Sequence, residues 1–437
     1  MRKEENSTQM LMEGVENPDF SHAEKVEEVS SEPVYETETG EQIKFDTDVD
    51  LGLDKAYVDE KLKEVMDSQS PQKRRKSTIV SLILLLVNLI FMAFIVKGLI
   101  SNVGDVDFES IVKTQGSKLW WLAGGVGIYC LYMFSQVLMY QALIKDLTGK
   151  SRWKLAYDVA VTGKYYDNVT PFAVGGQPMQ ILKLATNKIS PGVSTSIPII
   201  KLLVNSTVNV VLVLLFFIFG LPRLPLTSAF NDMLLFLLEI LGVIGLIITV
   251  IMTLFMILIS SGSLVTRSIV SSVIKLGYRL KIVKNYRVTL KKTINQFAEY
   301  RNSMKYLWKH KGLLLKMILY STLECLTYAV MPYFVVQAFM LEPSGMTAMM
   351  FLFICIVKYY ICAMASSYIP LPGGTGLIEI SFIFLFGIVV RENIVWALLA
   401  WRFLSYYLIV LHGFVHELSG IVKKLIKNRK LNQSNLK

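Results

Sequence analysis

STSIPIIKLLVNSTVNVVLVLLFFIFG, residues 194–220, carries a single charge, Lys201. The run exceeds the roughly 20 residues that a helix needs to cross a hydrocarbon core of about 30 Å. An apolar run of that length reads as a transmembrane helix. Five further stretches of the same kind surround it, at 78–100, 118–142, 231–259, 313–340 and 393–419. They belong to a chain of 437 residues that is 53% hydrophobic and 18% charged, which excludes an ordinary soluble class. The expectation is an all-α polytopic membrane protein with six transmembrane helices. No short apolar core follows the polar start MRKEENSTQM, so the first span, from Thr78, is expected to act as an uncleaved insertion signal.

Charge divides the chain. Residues 1–70 hold 7 basic and 20 acidic side chains, leaving 38 basic and 14 acidic residues for the rest. The acidic part has few large apolar residues and is expected to be largely disordered. With the basic cluster Lys73, Arg74, Arg75 and Lys76 it makes up a tail over 1–75. A first membrane half then covers 76–260, a basic amphipathic loop 261–312, and a second membrane half with a basic C-terminal tail 313–437. Within that loop, 262–311 contains 12 Lys and Arg and the single acid Glu299. The positive-inside rule places it, both termini and the 73–76 cluster on the cytoplasmic side of a cell membrane, a count that six crossings close. The loop is expected to meet anionic inner-leaflet lipid. Positive-inside bias explains its charge without nucleic acid.

Two stretches resist reading as spans. Residues 155–190 hold two short helical pieces around TPFAVGGQP (170–178), and 347–391 hold two around PLPGGTG (370–376). Proline removes a backbone donor and glycine weakens a helix, so both motifs break their segments. Broken backbone at membrane depth is tolerated only inside protein or along a watery cavity. Both are therefore expected to be re-entrant hairpins, entering from opposite faces in the manner of an inverted repeat.

The residues around these breaks suit a polar ligand. Tyr166, Asp167, Asn168, Thr170 and Gln177 offer polar side chains in the first motif, Pro171 fixes the bend, and Gly175 and Gly176 permit close backbone approach. In the second, Pro370, Pro372, Gly373, Gly374 and Gly376 precede a helix whose first amides suit a phosphate oxygen. Glu379 and Arg402 are charges within apolar sequence, and such charges face an interior or a cavity. Arg402 is expected to hold a lipid phosphate, with Glu379 holding Arg402 or a cationic headgroup. Lys201 and Lys358 read as snorkelling side chains, Glu324 as facing protein, and Lys183 as lying at an aqueous mouth. Cys130, Cys325, Cys355 and Cys362 form no metal or disulfide pattern, and His412 and His416 lack further ligands, so no metal and no cofactor is expected.

GKYYDNVTPFAVGGQPMQILKL (163–184), IPLPGGTGLIE (369–379) and ALLAWRFLSYYLIVLHG (397–413) resemble, in that order, three signatures of the lysylphosphatidylglycerol synthase transmembrane, or flippase-like, family. The resemblance covers about 78–425 and implies movement of a lipid between leaflets. It leaves open an anionic or aminoacylated phospholipid such as phosphatidylglycerol, a polyprenyl-phosphate or glycolipid, or a role as membrane partner of a lipid-modifying synthase or glycosyltransferase. A homo-oligomer is compatible with each. The family's complete enzymes carry a soluble synthase domain. With 18 residues after the last span and a short acidic tail before the first, lysyl transfer by this chain alone is not expected.

Overall fold

The computed structural model describes residues 34–36, 42–44, 118–170, 173–223, 229–261, 301–341, 345–367 and 372–420, with isolated positions at 97, 116 and between 271 and 293. Two compact units are distinguished, Met1–Phe45 and Asp46–Lys437. In the first, β1 (Val34–Glu36) and β2 (Gln42–Lys44) pair antiparallel, with Tyr35 opposite Ile43. The expected span at 78–100 except Lys97, the basic cluster at 73–76, most of the loop at 262–311 and the tail beyond 420 lie outside the described residues.

All other regular structure among the described residues is helical. The second unit runs α1 (Trp121–Thr148), α2 (Trp153–Val169), α3 (Gly176–Thr186), α4 (Pro191–Gly220) and α5 (Ala229–Ser261). It continues with α6 (Lys311–Phe339), α7 (Ala348–Ser366), α8 (Leu377–Val390) and α9 (Ile394–Arg402). A π-helical turn at Phe403–Tyr407 extends α9, and α-helix then resumes to Gly420.

Length decides which helices can cross a membrane. Among the described residues six segments are long and apolar enough: Trp121–Thr148, Gly192–Arg223, Phe236–Phe255, Lys311–Phe339, Ala348–Ser366 and Leu377–Gly420. The last spans 44 residues, about 66 Å if straight, twice a hydrocarbon core. A break at Arg391–Asn393, with Arg391 at φ 51°, divides it into α8 and α9. Five of the six expected spans recur among them, and Ala348–Ser366 is a further candidate. Ala348–Ser366 had been read as half of a hairpin, yet its 19 residues reach about 28 Å, enough to cross. By contrast α2, α3 and α8, with 17, 11 and 14 residues, are shorter than a span requires.

Two apolar clusters hold this unit together. One joins α1, α2, α3 and α4 through Leu143, Leu147, Val159, Leu184 and Ile197. The other joins α4, α6, α7, α8 and α9, with Trp401 stacked on Phe382 at 4.4 Å between ring centroids. Helices α4 and α6 contribute to both clusters and so link the two broken segments. In lipid such packing is held by close contact and buried polar bonds more than by apolar transfer. The Asn393 amide, 6% exposed, donates to the Phe339 carbonyl at 2.9 Å and pins the α8–α9 turn to the end of α6.

Candidate functional site

The first break lies between α2 and α3, and its own side chains satisfy its backbone. The Thr170 hydroxyl donates to the Tyr166 carbonyl at 2.7 Å and accepts the Gly175 amide at 3.0 Å. Asp167 Oδ1 accepts the Gly176 amide at 3.0 Å. These contacts cap the opening amides of α3, which have no partner within the helix. A β-carbon at Gly176 would run into the Asp167 carboxylate and the Gly163 carbonyl, so the close approach of the two arms requires glycine.

The second break is built around a sealed ion pair. Gly373, Gly374 and Gly376 adopt φ of 64°, 64° and 103°, a run that only glycine tolerates without strain. The Gly376 amide donates to Glu379 Oε2 at 2.6 Å, and Glu379 Oε1 lies 2.7 Å from Arg402 Nε. The rest of the guanidinium donates to the Gly373 carbonyl at 3.3 Å and to the Thr375 hydroxyl at 3.4 Å, and it lies 4.9 Å from the Tyr406 ring centre. Glu379 is 0% and Arg402 2% exposed. The π turn follows Arg402 directly, and such turns recur where a helix must redirect functional side chains.

Tyr406 brings the two breaks together. Its ring packs under Gly373, and its hydroxyl donates to the Asn168 carbonyl at 3.1 Å. Above this contact lies a cavity of about 430 Å³, within the usual range of small-molecule sites. Lys164, Asp167 and Asn168 enter it from α2, Gly373 and Gly374 from the second break. Asn205 and Asn209 of α4, Glu324 and Tyr328 of α6, and Tyr359 and Tyr360 of α7 complete most of the wall.

The cavity is charged at the middle of long apolar helices. Glu324 is 13 residues from the start of α6, about 20 Å along its axis. Its carboxylate lies 3.5 Å from Lys164 and 3.6 Å from Lys201. Asp167 has no lysine or arginine nitrogen within 4.0 Å among the described residues. Asp167 lies on α2, outside the six long helices. Desolvation in the cavity wall pushes its carboxyl above the ordinary carboxylate range, against the pull of Lys164, Lys201 and the Gly176 amide.

Of the residues singled out in the sequence, Asp167, Asn168, Gly373 and Gly374 line the cavity. Thr170, Gly175, Gly176 and Gly376 hold the breaks, while Tyr166 and Gln177 stand on α2 and α3 outside the wall. Pro171 and Pro370 lie outside the described residues, and Pro372 begins the short 3-10 turn Pro372–Gly374. Glu379 and Arg402 do pair, but they face each other and the glycine turn rather than the cavity. The α8 start, expected to receive a phosphate, is capped by Glu379.

Sequence reasoning passed over Lys164, which stands inside a quoted motif three positions before Asp167. It also read Lys201 as a snorkelling side chain and Glu324 only as facing protein. Lys201 does not snorkel: it is 8% exposed and points to Glu324. Lys358 is equally buried and donates to the Leu385 carbonyl at 2.5 Å. Lys183 pairs with Glu417 at 3.5 Å, away from the cavity. The His412 ring contacts the Tyr129 and Tyr157 hydroxyls, at 2.8 and 2.6 Å.

Comparison with protein families matches residues 78–413 to the family described as "Lysylphosphatidylglycerol synthase TM region". Comparison with curated proteins finds no match.

Proposed function

This chain belongs to the lysylphosphatidylglycerol synthase TM-region family, and on that premise we propose that it moves a phospholipid between membrane leaflets. It is a multi-pass membrane protein. The cargo is an anionic or aminoacylated phospholipid whose headgroup occupies the cavity while its acyl chains remain in the bilayer. The observation that carries this reading is the cavity itself. It is lined by Lys164, Glu324 and Asp167 between two backbone breaks, with Lys201 paired to Glu324 behind the wall, at a depth where charge is costly and marks a pathway.

Each group has a role under this reading. Lys164 and Lys201, still paired with Glu324, donate charge-assisted hydrogen bonds to the lipid phosphate. Asn205 and Asn209 meet headgroup hydroxyls, and Gly373 and Gly374 let the headgroup touch backbone. Arg402 and Glu379 act as positioning residues that keep the glycine turn in its left-handed conformation. The protein lies in the cell membrane with cytoplasmic termini, and its basic 262–311 loop gathers anionic lipid on that side.

A polyprenyl-phosphate or glycolipid headgroup is the second reading, favoured by Tyr132, Tyr328, Tyr359 and Tyr360 along the wall. Proteoliposomes separate the two. Leaflet exchange of labelled phosphatidylglycerol, its lysyl form and phosphatidylcholine would be measured beside a labelled glycolipid, for wild type and for Lys201→Gln. Exchange of the first two that Lys201→Gln reduces is expected. Exchange of the glycolipid alone would select the second reading, and exchange of none would refute transport of these lipids.

A further inference from the structure

We infer that the cavity takes up a proton together with an anionic headgroup, and that Asp167 is the group that holds the proton. This rests on the transport reading above and adds to it a coupled ion.

Lys164, Lys201, Glu324 and Asp167 sum to zero, and Arg402 and Glu379 compensate each other beneath the turn. A phosphodiester monoanion entering alone would leave the cavity at minus one, at mid-membrane depth and with little water to screen it. One proton entering with it restores neutrality. The step is a proton transfer: an O–H bond forms on the Asp167 carboxylate as one breaks in hydronium from the aqueous side, and proton and lipid leave together on the opposite side.

Geometry selects Asp167 over Glu324. Glu324 answers two ammonium groups, at 3.5 and 3.6 Å, and protonating it would leave both lysines uncompensated. Asp167 binds one backbone amide, that of Gly176, through Oδ1. A proton on its other oxygen disturbs nothing already made. The groups facing it are Lys164 on its own helix, Lys201 from α4, Glu324 from α6 and the phenol of Tyr140 from α1. The second break offers it backbone from Gly373 and Gly374, and α7 the phenols of Tyr359 and Tyr360. Desolvation already favours the protonated acid at Asp167. An incoming anion favours it further. Affinity for the anion is therefore highest below the Asp167 pKa and falls about tenfold per pH unit above it, as one linked proton requires.

Dihexanoyl phosphatidylglycerol, titrated calorimetrically into the full chain in detergent micelles, provides the test. Two buffers of different ionisation heat give the protons taken up per lipid bound. Wild type is expected to take up close to one proton above the Asp167 pKa and none well below it. Asp167→Asn keeps the Gly176 bond and is expected to take up none, with an affinity flat in pH. The paired change Lys201→Gln with Glu324→Gln keeps the cavity neutral and is expected to bind more weakly yet still take up a proton, and zwitterionic dihexanoyl phosphatidylcholine to bind without one. No binding, no uptake by wild type, unchanged uptake by Asp167→Asn, or loss of uptake in the paired Lys201→Gln and Glu324→Gln variant would each overturn the inference. Leaflet exchange on the same preparation separates the two claims. Exchange without proton uptake defeats the coupling and leaves transport standing; uptake without exchange defeats transport and leaves the cavity chemistry.

Discussion

The two broken segments share proline and paired glycines, yet they use their charges in opposite ways. Around 167–176, Asp167 and Thr170 bind amides across the break, and Lys164 and Asp167 still face the cavity. Around 373–379, the charges are turned inward: Glu379 caps its helix, Arg402 closes over it, and only glycine backbone and neighbouring side chains reach the cavity. A charge buried against its partner organises a turn, whereas a charge on a cavity wall is available to a ligand. The comparison assigns chemistry to the first break and its partners on α4 and α6, and architecture to the second.

The largest expected effect tests the architectural half. Removing one member of a buried ion pair strands the other, at a cost of about 3–5 kcal/mol. Arg402→Met alone should therefore lower thermal unfolding in detergent sharply, while Arg402→Met with Glu379→Gln recovers much of the loss. If the single change left stability intact but stopped transport, the second break would be chemical after all. Lys201→Gln addresses the other half. Loss of a charge-assisted contact of about 1.5–3 kcal/mol should slow leaflet exchange about 10- to 100-fold, with thermal unfolding shifting less than for Arg402→Met.

Two smaller changes sharpen the picture. Thr170→Val removes the hydroxyl that caps Gly175 and should cost about 1 kcal/mol, read by thermal unfolding. Tyr406→Phe removes the hydroxyl that joins the last helix to the first break. Polar bonds between membrane helices average about 0.6 kcal/mol, so stability should barely move. A larger change in exchange than in stability would show that the breaks move as a linked pair.

The long helices were legible because unbroken apolar runs leave little alternative. The breaks at 170–176 and 370–376 were legible too, since proline and clustered glycine act locally. The Glu379–Arg402 pairing followed from the rarity of intramembrane charge, although its sealed geometry did not. Helix α7 was read as half of a hairpin because of the PLPGGTG motif that follows it, while length alone makes Ala348–Ser366 a crossing candidate. Lys164 and Glu324 are 160 positions apart and Lys201 and Glu324 are 123. A contact of that separation leaves no periodic trace in one sequence. The available signal was stoichiometric: two lysines and two carboxylates inside apolar segments invite a shared interior.

The central claim, that the cavity between the breaks carries a lipid headgroup, is tested most directly by filling it. Ala363 lies on the cavity wall from α7. Leaflet exchange of labelled phosphatidylglycerol would be compared between wild type and Ala363→Trp, each checked for equal thermal unfolding. The expected result is exchange by wild type that the tryptophan abolishes. Equal exchange by both proteins would place the lipid path elsewhere and contradict the account.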